Sequence, residues 1–457
     1  MFTPKELKKL IIPLIIEQLL AISVGMFDTM MVSSLGDSAV SGVSLVDMLN
    51  VLMIYLFGAL ATGGAVVCAH EIGRVKAETP DGQTRDYRIA RNAAKQLVMV
   101  LIIASISVAA LAILLRKPLL KLCFGTIEDD VMRHALTYFV ISAISYPFVA
   151  LYNGFSALFR TMGNAKVTME ASVVVNLLNV AGNALLIFVF EMGVAGAAIS
   201  SAVARLVGMI ILLIKIANKK WDIHINFCEK FRPDLQTVKR ILRIGIPSGF
   251  ENSIFELGRI LVISMVAGFG TVQVAANAVA NNLDSFGCIP GKALALAMIT
   301  VVGQCIGAGD IEAARLYERK LMKIAHISML ILNAIIILTL PLTLKLYNLS
   351  GETLKLAATL IIIHDGFACI LWPQSFVRPN SLRAAQDVRF TMVVSIFSMC
   401  AFRIVGSWII GVQLGLGIVG VWIAMLIDWV FRGSMFTWRW KTGKCFQYPH
   451  KSTSEVK

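Results

Sequence analysis

Residues 13–36 read PLIIEQLLAISVGMFDTMMVSSLG, and residues 247–270 read PSGFENSIFELGRILVISMVAGFG. A proline opens each stretch, a glutamate follows four residues on at Glu17 and Glu251, and a glycine closes each at Gly36 and Gly270. The same offset of 234 residues pairs Gly73 with Gly307 without a gap. Further along, the offset becomes 223 or 224. There Arg160, Thr168 and Met169 meet Arg383, Thr391 and Met392, and Gly193 and Gly196 meet Gly417 and Gly420. The chain therefore reads as two copies of one unit. In membrane transporters, duplicated halves hold substrate at their interface, so a transporter is the first expectation.

Composition agrees. Of 457 residues, 57% are hydrophobic and 15% charged, whereas soluble proteins carry about a quarter charged residues. Apolar stretches long enough to cross about 30 Å of hydrocarbon fall near 11–34, 44–71, 92–115, 131–157, 167–190, 193–216, 238–267, 276–306, 320–344, 354–377, 389–412 and 416–438. The expected fold is an all-α membrane protein of twelve transmembrane helices, in two pseudo-symmetric six-helix lobes around a central cavity. An even number of spans per copy makes the repeats parallel. Residues 1–216 form the first lobe and residues 217–237 a polar cytoplasmic linker. Residues 238–440 form the second lobe, and 441–457 a basic cytoplasmic tail. Thr79-Pro80-Asp81-Gly82 marks a turn in the loop between the second and third spans.

Lys and Arg are retained on the cytoplasmic side of membranes. With the N-terminus inside, about 30 of them fall in inside segments and about six outside, so both termini are expected in the cytoplasm of a multi-pass cell-membrane protein. That asymmetry accounts for the formal charge of +14 without nucleic acid as a partner. The lipid bilayer, with anionic lipid at its inner leaflet, is the expected partner. Lys5, Lys8 and Lys9 lead into an apolar stretch too long for a cleavable signal core. Eight single cysteines without a CxxC motif read as buried thiols.

Ionisable residues inside spans are costly, and each calls for a partner or a purpose. Glu17 and Asp28 lie 11 residues apart, which places both on one side of a helix, roughly 16 Å apart along it. Either they mark two depths of a polar path or each ties the helix to a neighbour. Pro13 lacks an amide donor and either starts the first helix or bends it, the start being favoured by Lys8 and Lys9 before it. Pro247 repeats it, and Pro290 with Gly287 and Gly291 breaks the eighth span. In the seventh span Glu251 is the second lobe's candidate for a proton or cation, while Glu256 and Arg259 sit three apart and suit a pair. Asp47 and Asn50 become Asn281 and Asp284 in the second copy, as caps of an outer helix end or parts of a gate. Lys292 should face a cavity or a carboxylate. Asn176, Asn179 and Asn183 form a polar stripe that either joins helices or lines the cavity. Arg403, Asp428 and Arg432 suit a structural ion-pair set.

No phosphate-binding loop and no paired-histidine metal motif occurs, so energy is expected from an ion gradient and no cofactor. His364-Asp365 is the pair that would suggest an intramembrane enzyme, but it lacks a nucleophile or metal partners at workable spacing in the sequence.

The segments Ile12-Pro13-Leu14, Phe27-Asp28-Thr29-Met30-Met31-Val32 and Leu35-Gly36-Asp37-Ser38-Ala39-Val40 resemble the first-helix signature of the multidrug and toxic compound extrusion (MATE) transporters. So do Gly270 to Ala280, Leu158 to Asn164, and Gly193 to Ala198. The resemblance spans nearly the whole chain. It implies efflux of small organic, often cationic, compounds in exchange for protons or sodium ions by alternating access. It also implies that Asp28 is the ion-coupling acid, the place for sodium if sodium is the ion. Asn179 and Asn183 match a fifth-helix polar pair, and Ser201 a sixth-helix hydroxyl. The chain departs from the pattern at Asn183, where related bacterial and archaeal members carry Asp. Glu17 and Glu251 stand second as coupling acids. Asn176, Asn179, Asn183, Ser201, Glu256 and Lys292 are the expected cavity residues, and Pro13, Pro247 and Pro290 the bending points. The protein is expected to act as a monomer. The rival reading within the same superfamily is a flippase for lipid-linked or polysaccharide precursors, which would favour a cationic cavity with Lys292 and Arg259.

Overall fold

A computed structural model describes residues 2–79, 85–125, 128–227, 229, 232–345, 347 and 350–447. The turn expected at 79–82 therefore lies largely outside the described residues, as does most of the tail at 441–457. Among the described residues the regular structure is entirely helical. The first copy comprises α1 (Pro4–Ser33), α2 (Asp37–Glu78), α3 (Arg88–Leu114), a short α4 (Arg116–Phe124), α5 (Asp129–Thr161), α6 (Ala165–Asn183) and α7 (Gly193–Ala217). The second comprises α8 (Leu235–Ala267), α9 (Thr271–Gly287), α10 (Ile289–Gly307), α11 (Ile311–Lys345), α12 (Gly351–Trp372), α13 (Arg378–Ala384), α14 (Val388–Ser398) and α15 (Gly417–Lys441). Eleven continuous helical segments are long and apolar enough to cross a membrane, among the described residues. The long α8 carries Glu251, Glu256 and Arg259 and is more polar than these.

Local sequence explains the helix ends. Thr3 and Glu6 close a capping box at the start of α1, with Pro4 in its first turn. Pro13 is therefore not the start of this helix but lies inside it, as Pro247 lies inside α8. Pro290, by contrast, opens α10. The span expected at 276–306 is thus two helices that meet at Cys288. Asp47 and Asn50 do not cap a helix end either, because α2 begins ten residues before Asp47.

The duplication reappears in the backbone. Gly36 and Gly270 have φ of 97° and 96°, and Gly193 and Gly417 have 56° and 55°. A π-helical segment follows α6 at Ala184–Val189, and another stands at Trp408–Gln413, at the offset of 224. Two matched positions differ in residue but keep the left-handed backbone: Gly163 at 79° against Gln386 at 64°, and Glu191 at 50° against Gly415 at 70°.

Two compact units divide at Ser253 and Ile254, inside α8 and later than the 217–237 connection. The reason is close packing of the first half of α8 on α2: a Cβ on Gly63 would stand 2.5 Å from the Ile241 carbonyl oxygen, so only glycine permits the approach. Within the first unit α5 packs along α2, α3 and α7, and α1 lies along α6. In the second, α10 packs on α11, α9 on α12, and α15 on α12 and the π-helical segment Pro373–Val377.

Candidate functional site

Glu17 and Asp28 both meet α6, as their spacing on one side of α1 requires. Glu17 is 9% exposed. It accepts from Thr168 Oγ1 at 2.8 Å and pairs with Arg160 of α5 at 3.0 Å. It thereby fastens α1 to α5 and α6. Asp28 is half-buried and accepts from Asn183 Nδ2 at 2.5 Å. From there a chain of side-chain contacts runs inward. Asn183 Nδ2 lies 3.4 Å from Asn179 Oδ1, and Asn179 Nδ2 donates to Ser201 Oγ at 2.9 Å. Ser200 Oγ donates to the Asn179 carbonyl at 2.8 Å. Asn176 stands apart, its amide 3.5 Å from Ser172 Oγ.

Two groups beside Asp28 complete the cluster. Asp47 is exposed and hydrogen-bonded by Asn50 at 3.2 Å and by Tyr138. Arg205 of α7 donates to Ser145 Oγ at 3.2 Å. Asp28, Asp47 and Arg205 are close enough to interact electrostatically. Buried Asn50 holds Asp47 in place, donating also to Ser142 and accepting from Tyr146 Oη at 3.0 Å. With both acids ionised, two carboxylates lie in the field of one guanidinium, without an ion pair to it among the described residues. Asp47 was legible in the sequence only as a cap or gate residue. Arg205 was missed because one arginine in a long apolar stretch shows no spacing to a partner until the helices are packed.

The second unit gathers a different cluster. His364 places Nδ1 2.7 Å from Asp365 and Nε2 2.8 Å from Asp284 of α9. Cys288 Sγ donates to Asp284 at 3.2 Å, and Lys292 interacts with the same carboxylate. Trp422 and Trp429 stand edge-on to the imidazole, with ring centres 5.5 and 5.1 Å away. Donor atoms of Asp284, Cys288 and His364 lie within 4.8 Å of one another. In this arrangement the thiol donates to Asp284, and the imidazole bridges the two carboxylates of Asp284 and Asp365. Glu256 pairs with Arg259 at 3.0 Å, as its spacing implies. Glu251 is buried, with 3% exposure. Asp428 accepts from Ser398, while Arg432 lies over the rings of Phe255, Phe376 and Phe436. The sequence showed the charges but not the Phe255 and Phe376 partners, which come from other segments, while Phe436 stands four residues on from Arg432 in α15.

A bundle of apolar helices in two related units, with acid-bearing polar clusters inside each, defines a membrane transporter. The MatE family model matches residues 13–185 and 247–409, one match per copy, and the chain belongs to the multidrug and toxic compound extrusion family. It is 28% identical over 438 residues to the uncharacterized transporter YisQ of Bacillus subtilis, covering 94% of this chain and 92% of that one. It is 24% identical over 442 residues to a probable multidrug resistance protein NorM of Thermotoga maritima, covering 94% and 90%. Among solved structures, an outward-facing multidrug resistance MATE transporter of the MOP superfamily has the same fold, with a TM-score of 0.87, 21% identity and 96% of each chain covered. A MOP superfamily transporter from Pyrococcus furiosus, described as having a binding pocket of reversed polarity, matches at 0.87 and 20%, with 97% of each covered.

Proposed function

We propose that this transporter is a secondary active antiporter of the cell membrane, with both termini cytoplasmic. It exports small organic compounds, chiefly cations, in exchange for protons or sodium ions by alternating access. The observation that carries the proposal is the cluster of Asp28, Asp47 and Arg205. One guanidinium offsets one carboxylate, and the remaining negative charge is costly within a membrane-spanning helix bundle. A small cation or a cationic cargo restores neutrality, and the two compete for it. Asp28 is the exchanging group, because it is half-buried, hydrogen-bonded by buried Asn183 and within electrostatic reach of Asp47 and Arg205. Asn183 and Asn179 orient it, and Ser201 anchors Asn179. Glu17, already held by Arg160 and Thr168, serves to position α1. In the second unit, Asp284, His364 and Asp365 extend the ion-sensitive set. Pairing of Arg259 with Glu256, and the place of Lys292 within electrostatic reach of Asp284, support a cationic cargo over the phosphate-rich precursor that a flippase would take.

The test is proteoliposome export of a cationic dye under separately imposed proton and sodium gradients. Wild-type protein should respond to at least one gradient, and an Asp28→Asn variant of normal thermal stability should lose at least 90% of that response. Retention of full gradient-driven export by the variant would remove Asp28 from the mechanism.

A further inference from the structure

At the end of the second unit where α11 begins and α15 finishes, a cleft of about 110 Å³ is lined by Arg315, Glu318, Arg319, Arg378, Trp440 and Lys441. Four cations face one carboxylate. Glu318 is committed, because Arg378 Nε donates to it at 2.9 Å and Arg378 Nη1 turns to Thr437. Basic residues in a last helical turn ordinarily offset the helix dipole. Arg439 has a separate carboxylate partner in Asp387, at 2.7 Å. Arg319 and Lys441 are exposed and have no carboxylate partner among the described residues. Arg315 rests on the Phe446 ring with its Cζ 5.6 Å from the centroid, and its Nε is buried without a hydrogen-bond acceptor. The cleft therefore holds three uncompensated positive charges and an unmet donor.

Its depth is marked independently. Trp438, on the same last turn of α15, is 46% exposed and carries Lys444 Nζ 4.7 Å over its ring. An exposed indole beside lysine at the end of a span is the arrangement found at the membrane–water interface. Anionic headgroups lie at that level.

We infer that this cleft binds the phosphate of an anionic lipid headgroup in the inner leaflet, with Arg315, Arg319 and Lys441 as its ligands and Trp440 as its wall. The interfacial indole selects a lipid over a free phosphate ion, which would need no such depth. The site is separate from the proposed exchange cluster, and the leaflet follows from the proposed cytoplasmic termini.

Full-length protein in a neutral detergent is titrated with short-chain phosphatidylglycerol, with phosphatidylcholine and with glycerol phosphate, following thermal midpoint and Kd. Phosphatidylglycerol should raise the midpoint where the other two do not. An Arg319→Gln/Lys441→Gln variant should bind it about 30-fold more weakly, since each basic group near a membrane surface contributes about 1 kcal/mol. A Lys8→Gln/Lys9→Gln variant, which removes two exposed lysines elsewhere, should bind as wild type. Equal weakening in both variants would reduce the effect to general surface charge, and an equal response to glycerol phosphate would replace the lipid by a soluble anion. Either result overturns the inference, as does unchanged binding in the Arg319→Gln/Lys441→Gln variant.

Discussion

Arg160 and Glu17 meet at 3.0 Å with side chains only 15% and 11% exposed. Removing Arg160 leaves the Glu17 charge buried without its cation, which costs about 3 kcal/mol or more. Arg160→Ala should therefore lower the thermal midpoint clearly, while Arg160→Ala combined with Glu17→Gln should cost less than the two single changes added together. Additive losses would show that the pair is not coupled. Gln386 offers the opposite case. At φ 64° it occupies a conformation disfavoured for any residue with a Cβ. Its counterpart in the first copy is a glycine at φ 79°. Gln386→Gly is expected to stabilise the fold by about 1 kcal/mol, read as a higher midpoint with transport unchanged. The repeat was legible in residues 13–36 and 247–270, and the glutamates, prolines and glycines it matched all lie on helices or helix ends. Arg205 and the Phe255 and Phe376 rings beside Arg432 were not legible, because partners on other helices leave no periodic trace, whereas Phe436 lies at helical spacing from Arg432.

Helix approach is set by small residues, and the two copies do not use them equally. A Cβ on Gly420 would stand 2.7 Å from the Ile410 carbonyl oxygen and 2.8 Å from the Gly411 nitrogen. At the matched Gly196 the nearest atoms, of Leu186, lie 3.0 Å away. Both glycines face backbone, which cannot give way as a side chain can, and the approach is closer at Gly420, so Gly420→Ala should destabilise by about 1–3 kcal/mol, and Gly196→Ala by less. Comparing the two midpoints checks the ranking. The sequence also placed a single span at 276–306, whereas α9 and α10 meet at Cys288. Gly287, Pro290 and Gly291 did signal the break, but hydropathy stays high across it and hides where the helix ends.

Over the whole chain, the connection between the copies is tied to the first unit. Gln96 Nε2 donates to the Arg232 carbonyl at 2.8 Å, Asn92 to Asp234 at 3.0 Å, and Lys95 pairs with Glu229. Hydrogen bonding by the Thr237 hydroxyl holds the Asp234 carboxyl below its ordinary value, and hydrogen bonding by Lys95 does the same for Glu229. Groups depressed in the folded state stabilise it above their unfolded pKa and cease to do so as pH falls through the folded value. Anchoring of 217–237 should thus be intact at neutral pH and lost below about pH 4. Hydrogen exchange of this segment, corrected for intrinsic rate, should accelerate there before that of α2 or α5. Simultaneous loss throughout would mean that the strap is not a separate element.

Glu191 and Gly415, like Gly163 and Gln386, keep one backbone shape with unlike residues. Each copy consequently stores, at one of these bends, the permissive residue that its twin has lost. The molecule carries a design template within its own gene: grafting the better residue from either half onto the other offers a route to a hardier protein that needs no outside sequence as a guide.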